Sequence, residues 1–246
     1  MAMFRSFKER NLYKLYKLRI FPDMDANREY IEPGSGAVSP LQEAWAEIKA
    51  LPRQFVHDFK AISENDPAAK NPIETFLAHT PYHAIIAYRV HHIMHTLKIP
   101  VLPRFLGAIM RMWSGVEIHP GAKIGCCFFI DHGTGVVIGE TAEIGNRCVI
   151  FHNVTLGGTG HYEGKRHPTI GNNVLIGTAA TLLGPIKVGD NVKIGAETVV
   201  INRDIPPDCT VVGAPGKIVK RDGKTVHEDL PLAKYHVERK IRSSAA

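Results

Sequence analysis

No stretch of this 246-residue chain stays apolar for the roughly 20 residues that a bilayer span requires, because charge interrupts each hydrophobic run well short of that. Met1 is not followed by the apolar core of a secretory signal, which predicts a cytoplasmic protein. Cysteine is scarce. Cys126, Cys127, Cys148 and Cys209 form neither a CxxC pair nor the spacing of a disulfide scaffold, and they read as small apolar fillers in a reducing compartment. RNP-like and helix-turn-helix patterns are also missing, which argues against nucleic acid although the formal charge is +6. The basic residues gather at the two ends, from Arg5 to Arg19 and from Lys217 to Arg242. That distribution suits a polyphosphate ligand equally well.

What the chain has in abundance is a period of six. Ile118, Ile124 and Ile130 open it, Ile138, Ile144, Ile150 and Leu156 continue it, and Ile170, Ile176, Leu182, Val188, Ile194 and Val200 extend it, with Val212 and Ile218 in the same phase. Glycine follows many of these anchors. One aliphatic anchor per six residues means short strands joined by tight turns, with three hexads making one triangular coil. Each coil buries its face only against its neighbours. This predicts a left-handed parallel β-helix of about five coils.

Before Met112 the spacing is helical. Ser39-Pro40 supplies an N-cap and a first-turn proline for a helix through Leu41, Trp45, Ile48 and Leu51, which Pro52 is expected to end. Further helices are predicted over Ile73 to Ala78, Pro81 to Leu97 and Leu102 to Met112. Phe4 to Phe21 alternates basic and bulky apolar residues, suiting a membrane surface or docking within an oligomer, and a Pro/Gly-rich acidic linker follows it. The expected organisation is α+β: a basic segment and linker (1–38), a helical domain (39–114), the β-helix (115–221) and a tail (222–246).

A solenoid tolerates insertions only at its turns, so breaks in the repeat are where function is sought. There are two. Ile130 to Ile138 spans eight residues and contains Asp131-His132-Gly133-Thr134-Gly135. Leu156 to Ile170 spans fourteen and contains Gly157-Gly158-Thr159-Gly160 and Lys165-Arg166-His167-Pro168. A histidine beside an acid in one break, and Arg-His in the other, supply a base, an anion and a cation. Taken singly, His132 also fits a turn histidine and Arg166 a solvated loop charge. The i,i+4 pair His91 and His95 lacks the glutamate of an HExxH site and reads as packing.

The segments Glu117-Ile-His-Pro-Gly, Ile130-Asp-His-Gly-Thr-Gly, Gly139-Glu-Thr, Val154-Thr-Leu-Gly-Gly-Thr-Gly and Arg166-His-Pro together resemble serine O-acetyltransferases. The resemblance runs from about residue 64 to 220. It implies acetyl transfer from acetyl-CoA to the hydroxyl of L-serine in cysteine biosynthesis, with no metal expected. It assigns His132 as general base and Glu117, where many members carry Asp, as the carboxylate that orients it. Asp66 and Asp131 match the residues that hold the substrate amino group, and Arg166 and His167 those that hold its carboxylate. Gly158 would offer an N–H to the oxyanion. Thr178 and Ala196 match coenzyme A contacts, and Lys217, Lys220 and Arg221 are candidates for its phosphates. None of the cysteines falls on a matched motif, so direct transfer is expected rather than an acyl-enzyme.

The resemblance further implies a homotrimer with sites shared between chains, a dimer of trimers as a further option, and feedback inhibition by L-cysteine. The end Arg242-Ser-Ser-Ala-Ala246 lacks the terminal isoleucine through which many relatives bind cysteine synthase, so that complex is not expected. Three rival readings remain at this stage. A hexapeptide-repeat acetyltransferase for a sugar or antibiotic hydroxyl would share the fold and base, but has no use for Asp66, Arg166 and His167. A γ-type carbonic anhydrase would bind zinc through His132, His152 and His167, next to a repulsive Arg166. A structural solenoid would need none of them.

Overall fold

The computed structural model describes residues 39–160 and 163–234. The basic N-terminal segment, its linker, His161 and Tyr162 of the long insertion, and the C-terminal residues from 235 onward lie outside the described residues.

Among the described residues, four helices come first. Helix α1 (Pro40–Asn65) opens with a capping box, in which Ser39 Oγ accepts from Gln42 N and the Gln42 side chain accepts from Ser39 N. It does not stop at Pro52, as expected, but runs thirteen residues past it. A proline costs one backbone bond there, and tertiary contacts of the later half outweigh it: Asp58, Ala61 and Ile62 are buried beyond it. Helices α2 (Pro72–Ala78), α3 (Thr80–Thr96) and α4 (Leu102–Ser114) follow within two residues of their predicted bounds. Among the described residues, no helix is long and apolar enough to cross a membrane.

A parallel β-solenoid of about five turns follows, its two- and three-residue strands stacked on three faces. Face A stacks Glu117–Ile118, Val137–Ile138, Thr155–Gly157, Thr181–Leu183 and Val199–Ile201. Face B begins at Lys123–Ile124 and face C at Phe129–Ile130. The predicted anchors point inward: Ile130, Ile150, Leu156, Ile176, Leu182 and Ile194 are fully buried. Ile138 pairs with Leu156, and Leu182 with Val200, so a regular coil advances eighteen residues. The two breaks lengthen single coils without disturbing the stack, since Ile118 pairs with Ile138 and Leu156 with Leu182.

The end of the solenoid departs from the predicted phase. Ile205 bridges to Val188 and Val211 pairs with Ile194, one residue short of a full coil. Val211 is therefore the buried anchor and Val212 is exposed. Ile218 is buried too, but on an antiparallel strand: Lys217–Arg221 and Lys224–Asp229 form a hairpin that closes face C. Residues 222–229, expected as tail, belong to that hairpin.

The helical domain is pinned to the first coil by buried polar contacts. Asp58 of α1 and Arg89 of α3 form a two-point ion pair (2.7 and 3.1 Å), both side chains almost fully buried. Arg89 also donates to the carbonyls of Ile124 and Gly125, and Asp58 accepts from Phe128 N. Tyr88 Oη donates to Ala122 O at 2.6 Å. The four bonds that leave the ion pair and Tyr88 end on the first coil, at Ala122, Ile124, Gly125 and Phe128, which fixes where the helices sit relative to the two breaks.

Candidate active site

The three edges of the prism carry different chemistry. The edge between faces C and A takes the first break, and the edge between A and B takes the second.

On the C–A edge, Asp131 follows the face C strand and His132 turns outward with a left-handed backbone (φ 61°). Its side chain is 75% exposed, open to a reactant. Its Nε2 lies 3.7 Å from Asp131 Oδ1, and its ring meets His152 of the next coil edge-on at 5.8 Å. The Nδ1 of His152 is buried without a hydrogen-bond partner. Higher on the same edge come Thr178, half-buried, and Ala196, exposed, in consecutive coils joined by Glu197 N donating to Thr178 O.

The helical domain brings its own carboxylate to this edge. Asp66 caps the end of α1 and accepts from Ala68 N. Asp66 and Asp131 both act electrostatically on His79, whose ring packs on Phe129 at 5.8 Å. Burial holds His79 below the usual imidazole range, against the pull of the two carboxylates. Its Nδ1 accepts from Tyr82 N, which leaves Nε2 as the hydrogen-bearing nitrogen of the neutral ring. Two acids from separate parts of the chain thus converge on the half-buried His79, and one of them, Asp131, also meets the exposed His132.

On the A–B edge, the second break returns as Lys165-Arg166-His167. His167 is buried, and its Nδ1 accepts from Thr141 N (3.1 Å), so the neutral ring carries its hydrogen on Nε2. Burial first, and Arg166 second, lower its pKa. Thr141 Oγ1 accepts from the backbone N–H groups of both Arg166 and His167, and Thr141 O accepts from Lys165 Nζ. The Arg166 guanidinium binds the Glu140 carboxylate and contacts Gly164 O; the hydrogen bond from Arg166 holds that carboxylate below its usual range. A guanidinium has five N–H donors, and these contacts use two. Gly158 is exposed where the insertion begins, and a Cβ there would stand 3.3 Å from Arg166 O.

The segment Gly139-Glu140-Thr141, quoted above only as a motif, therefore builds the Arg166-His167 site. A signal for it lies in the spacing, since two polar residues follow an anchor at a turn facing the long insertion. His79 carried no such signal.

The expected Glu117–His132 partnership is not formed within the chain. Glu117 lies on the first strand, beneath the last turn of α4, and its carboxylate meets Arg111 at 2.7 Å. The carboxylate that His132 meets is Asp131. The four cysteines divide as well: Cys148 and Cys209 are buried as read from sequence, whereas Cys126 and Cys127 are half-buried beside His57. Lys217 pairs with Asp229 at 3.6 Å and Arg221 with Glu228, while Lys220 lies on the same strand, half-buried. The histidines of α3 pack, as read: His91 is buried, His92 bonds Pro120 O, and His95 meets the His119 ring edge-on.

Residues 167–202 match the family model for bacterial transferase hexapeptide (six repeats). A serine acetyltransferase of Synechococcus elongatus is 50% identical over 188 residues, covering 75% of this chain and 77% of that protein. The crystal structure of Neisseria gonorrhoeae serine acetyltransferase in complex with serine superposes with a TM-score of 0.67 at 42% identity, covering 72% of this chain and 73% of that one. A serine acetyltransferase in complex with cysteine gives 0.69 at 36% identity, covering 74% and 71%.

Proposed function

Since this chain belongs to the serine acetyltransferase family and is an acyltransferase, we propose that it moves the acetyl group of acetyl-CoA onto the hydroxyl of L-serine with His132 as general base. The observation that carries this reading is the exposed His132 beside Asp131, with Asp66 and Asp131 both acting on His79, whose ring packs on Phe129 of the same turn. Two carboxylates suit an ammonium group, and Asp131 stands next to an imidazole that is open to a reactant.

The chemistry balances without a covalent enzyme intermediate. His132 takes the hydroxyl proton as serine Oγ attacks the thioester carbon, the C–S bond breaks, and the imidazolium returns the proton to the departing coenzyme A sulfur. Gly158 N–H stabilises the oxyanion, an interaction whose loss costs about 3 kcal/mol where it has been removed from other enzymes. Arg166 and His167 Nε2 hold the substrate carboxylate. Thr178, Ala196, Lys217 and Lys220 line the path of coenzyme A. Glu117 orients His132 only if it leaves Arg111, and its role is tested below.

Asp131-His132 and Arg166-His167 stand on different edges of the prism, so one chain does not hold both ends of an amino acid at a single edge. A homotrimer, in which the A–B edge of one chain faces the C–A edge of the next, unites them. Cysteine, with the same ammonium and carboxylate groups, competes for that site as a feedback inhibitor. The reaction fits a cytoplasmic enzyme of cysteine biosynthesis. Thiol release from acetyl-CoA, measured with serine, homoserine and a panel of sugars, tests the reading. Serine is expected to dominate, and a sugar turned over faster than serine would replace it.

A further inference from the structure

The third edge of the prism, between faces B and C, carries neither half of the proposed reaction. In its first coil stand Cys126 and Cys127, and His57 of α1 leans over them. Cys127 Sγ lies 3.6 Å from Cys126 Sγ and 3.9 Å from His57 Nδ1, and the three donor atoms all fall within 4.8 Å of one another. All three side chains are half-buried, so the group is reachable from solvent.

We propose that His57, Cys126 and Cys127 form a binding site for a thiophilic metal ion, Zn2+ in the first instance, with the fourth tetrahedral position open to solvent. The spacing suits that ion. Zn–S bonds of about 2.3 Å and Zn–N bonds of about 2.0–2.1 Å at tetrahedral angles put two sulfurs roughly 3.8 Å apart and a sulfur and a nitrogen roughly 3.6 Å apart. The observed separations lie within a few tenths of an ångström of both. Two thiolates and an imidazole also form a donor set that selects zinc or copper(I) over the hard cations.

The position is held independently of any metal. Asp58, next to His57, receives Phe128 N, next to Cys127, and is fixed by Arg89, which reaches the carbonyls of Ile124 and Gly125. These buried bonds set the register of α1 against this turn. Cys127 takes a left-handed backbone (φ 57°), as do Arg147, Asn173 and Asn191 in the coils above it on the same edge. That conformation is the edge's ordinary geometry, and what distinguishes this coil is two thiols facing a histidine. Binding joins α1 to the solenoid through three protein–metal bonds and releases the thiol protons to solvent.

The test uses the full chain, reduced and stripped of metal, titrated with Co2+ as a spectroscopic probe and with Zn2+ in competition. One Co2+ per chain is expected, with a near-ultraviolet thiolate-to-cobalt band and the visible absorption of a tetrahedral site, both displaced by Zn2+. Cys126→Ser and Cys127→Ser should each lose the band and weaken binding by more than the 10–100-fold typical of losing an outer partner. Cys209→Ser should leave the band unchanged. Zn2+ should raise the thermal midpoint of the wild type but not of Cys127→Ser, and acetyl transfer should persist in both forms. Absence of the band, a band that survives Cys127→Ser, or a Cys126–Cys127 disulfide forming in place of metal uptake would overturn the site.

Discussion

Gly139 and His167 share one space: a Cβ at position 139 would lie 2.1 Å from Cδ2 of the imidazole. The absence of a side chain at 139 is what lets the ring lie along the turn and accept the N–H of Thr141. Gly139→Ala should push the ring out of that slot while leaving the solenoid folded. The expected result is a rise of about 10–100-fold in the KM for serine with a smaller change in kcat, since displaced positioning groups cost on that order. Unchanged serine kinetics would remove His167 from carboxylate binding.

Buried charge carries the joint between helices and solenoid. Arg89→Met leaves the Asp58 carboxylate without its partner, and breaking such a pair from one side typically costs about 3–5 kcal/mol. A urea denaturation curve should show that loss as a lowered midpoint with little change in slope.

Acid should destabilise the chain through its histidines. His79, His91, His119 and His167 are each held below the usual imidazole value with burial as the largest cause, His119 at about 4. The unfolded chain takes up these protons near pH 6.5 and the folded chain resists them. Their contribution is therefore complete above about pH 6.5 and is lost as pH falls toward the folded values. Each histidine adds at most about 1.4 kcal/mol per pH unit. Denaturation midpoints measured from pH 7.5 to pH 4.5 should decline, and His119→Gln should decline less steeply.

Helix α4 leaves Phe105, Ile109, Met112 and Trp113 exposed along one side, an apolar stripe that a solvated helix does not keep. If the chain forms the proposed homotrimer, this stripe suits pairing of two such trimers through the helical domain. Light scattering should give a hexamer for the wild type and a trimer for Trp113→Glu; equal masses would assign the stripe another purpose.

Glu117 separates two roles. If its carboxylate serves His132, Glu117→Gln lowers kcat at least tenfold and shifts the pH–rate profile. If it serves only Arg111 on this exposed surface, the change costs less than about 1 kcal/mol of stability and leaves kcat intact.

Much of this was legible in the sequence because a hexad anchor has one environment available to it. An aliphatic residue every sixth position, followed by a turn, has nowhere to go except the interior, and Ile130, Leu156 and Ile194 are all fully buried. The pattern failed where register depends on neighbouring coils rather than on spacing. The step from Val200 to Ile205 is one residue short of a hexad, so Val211 takes the place that six-residue counting gives to Val212. Pro52 misled for a related reason, since burial of Asp58 and Ile62 outweighs one missing bond. In the candidate site, the residues in the two breaks stood out, and the turn Gly139-Glu140-Thr141 was marked by its polar residues. Its hold on Arg166 and His167 was not legible, nor was His79 at all, because these contacts reach residues far along the chain. Cys126 and Cys127 read as fillers because His57 lies seventy residues away from Cys127.

The account rests on His132, and His132→Ala tests it most directly. Exposed at a turn and touching only the edge of the His152 ring and Asp131, that side chain contributes little to packing, so the variant should keep the far-ultraviolet spectrum and oligomeric mass of the wild type. Its kcat for acetyl transfer from acetyl-CoA to serine should fall by about 10²–10⁴-fold, the usual contribution of a positioned general base. A folded His132→Ala protein that acetylates serine at the wild-type rate would contradict the account.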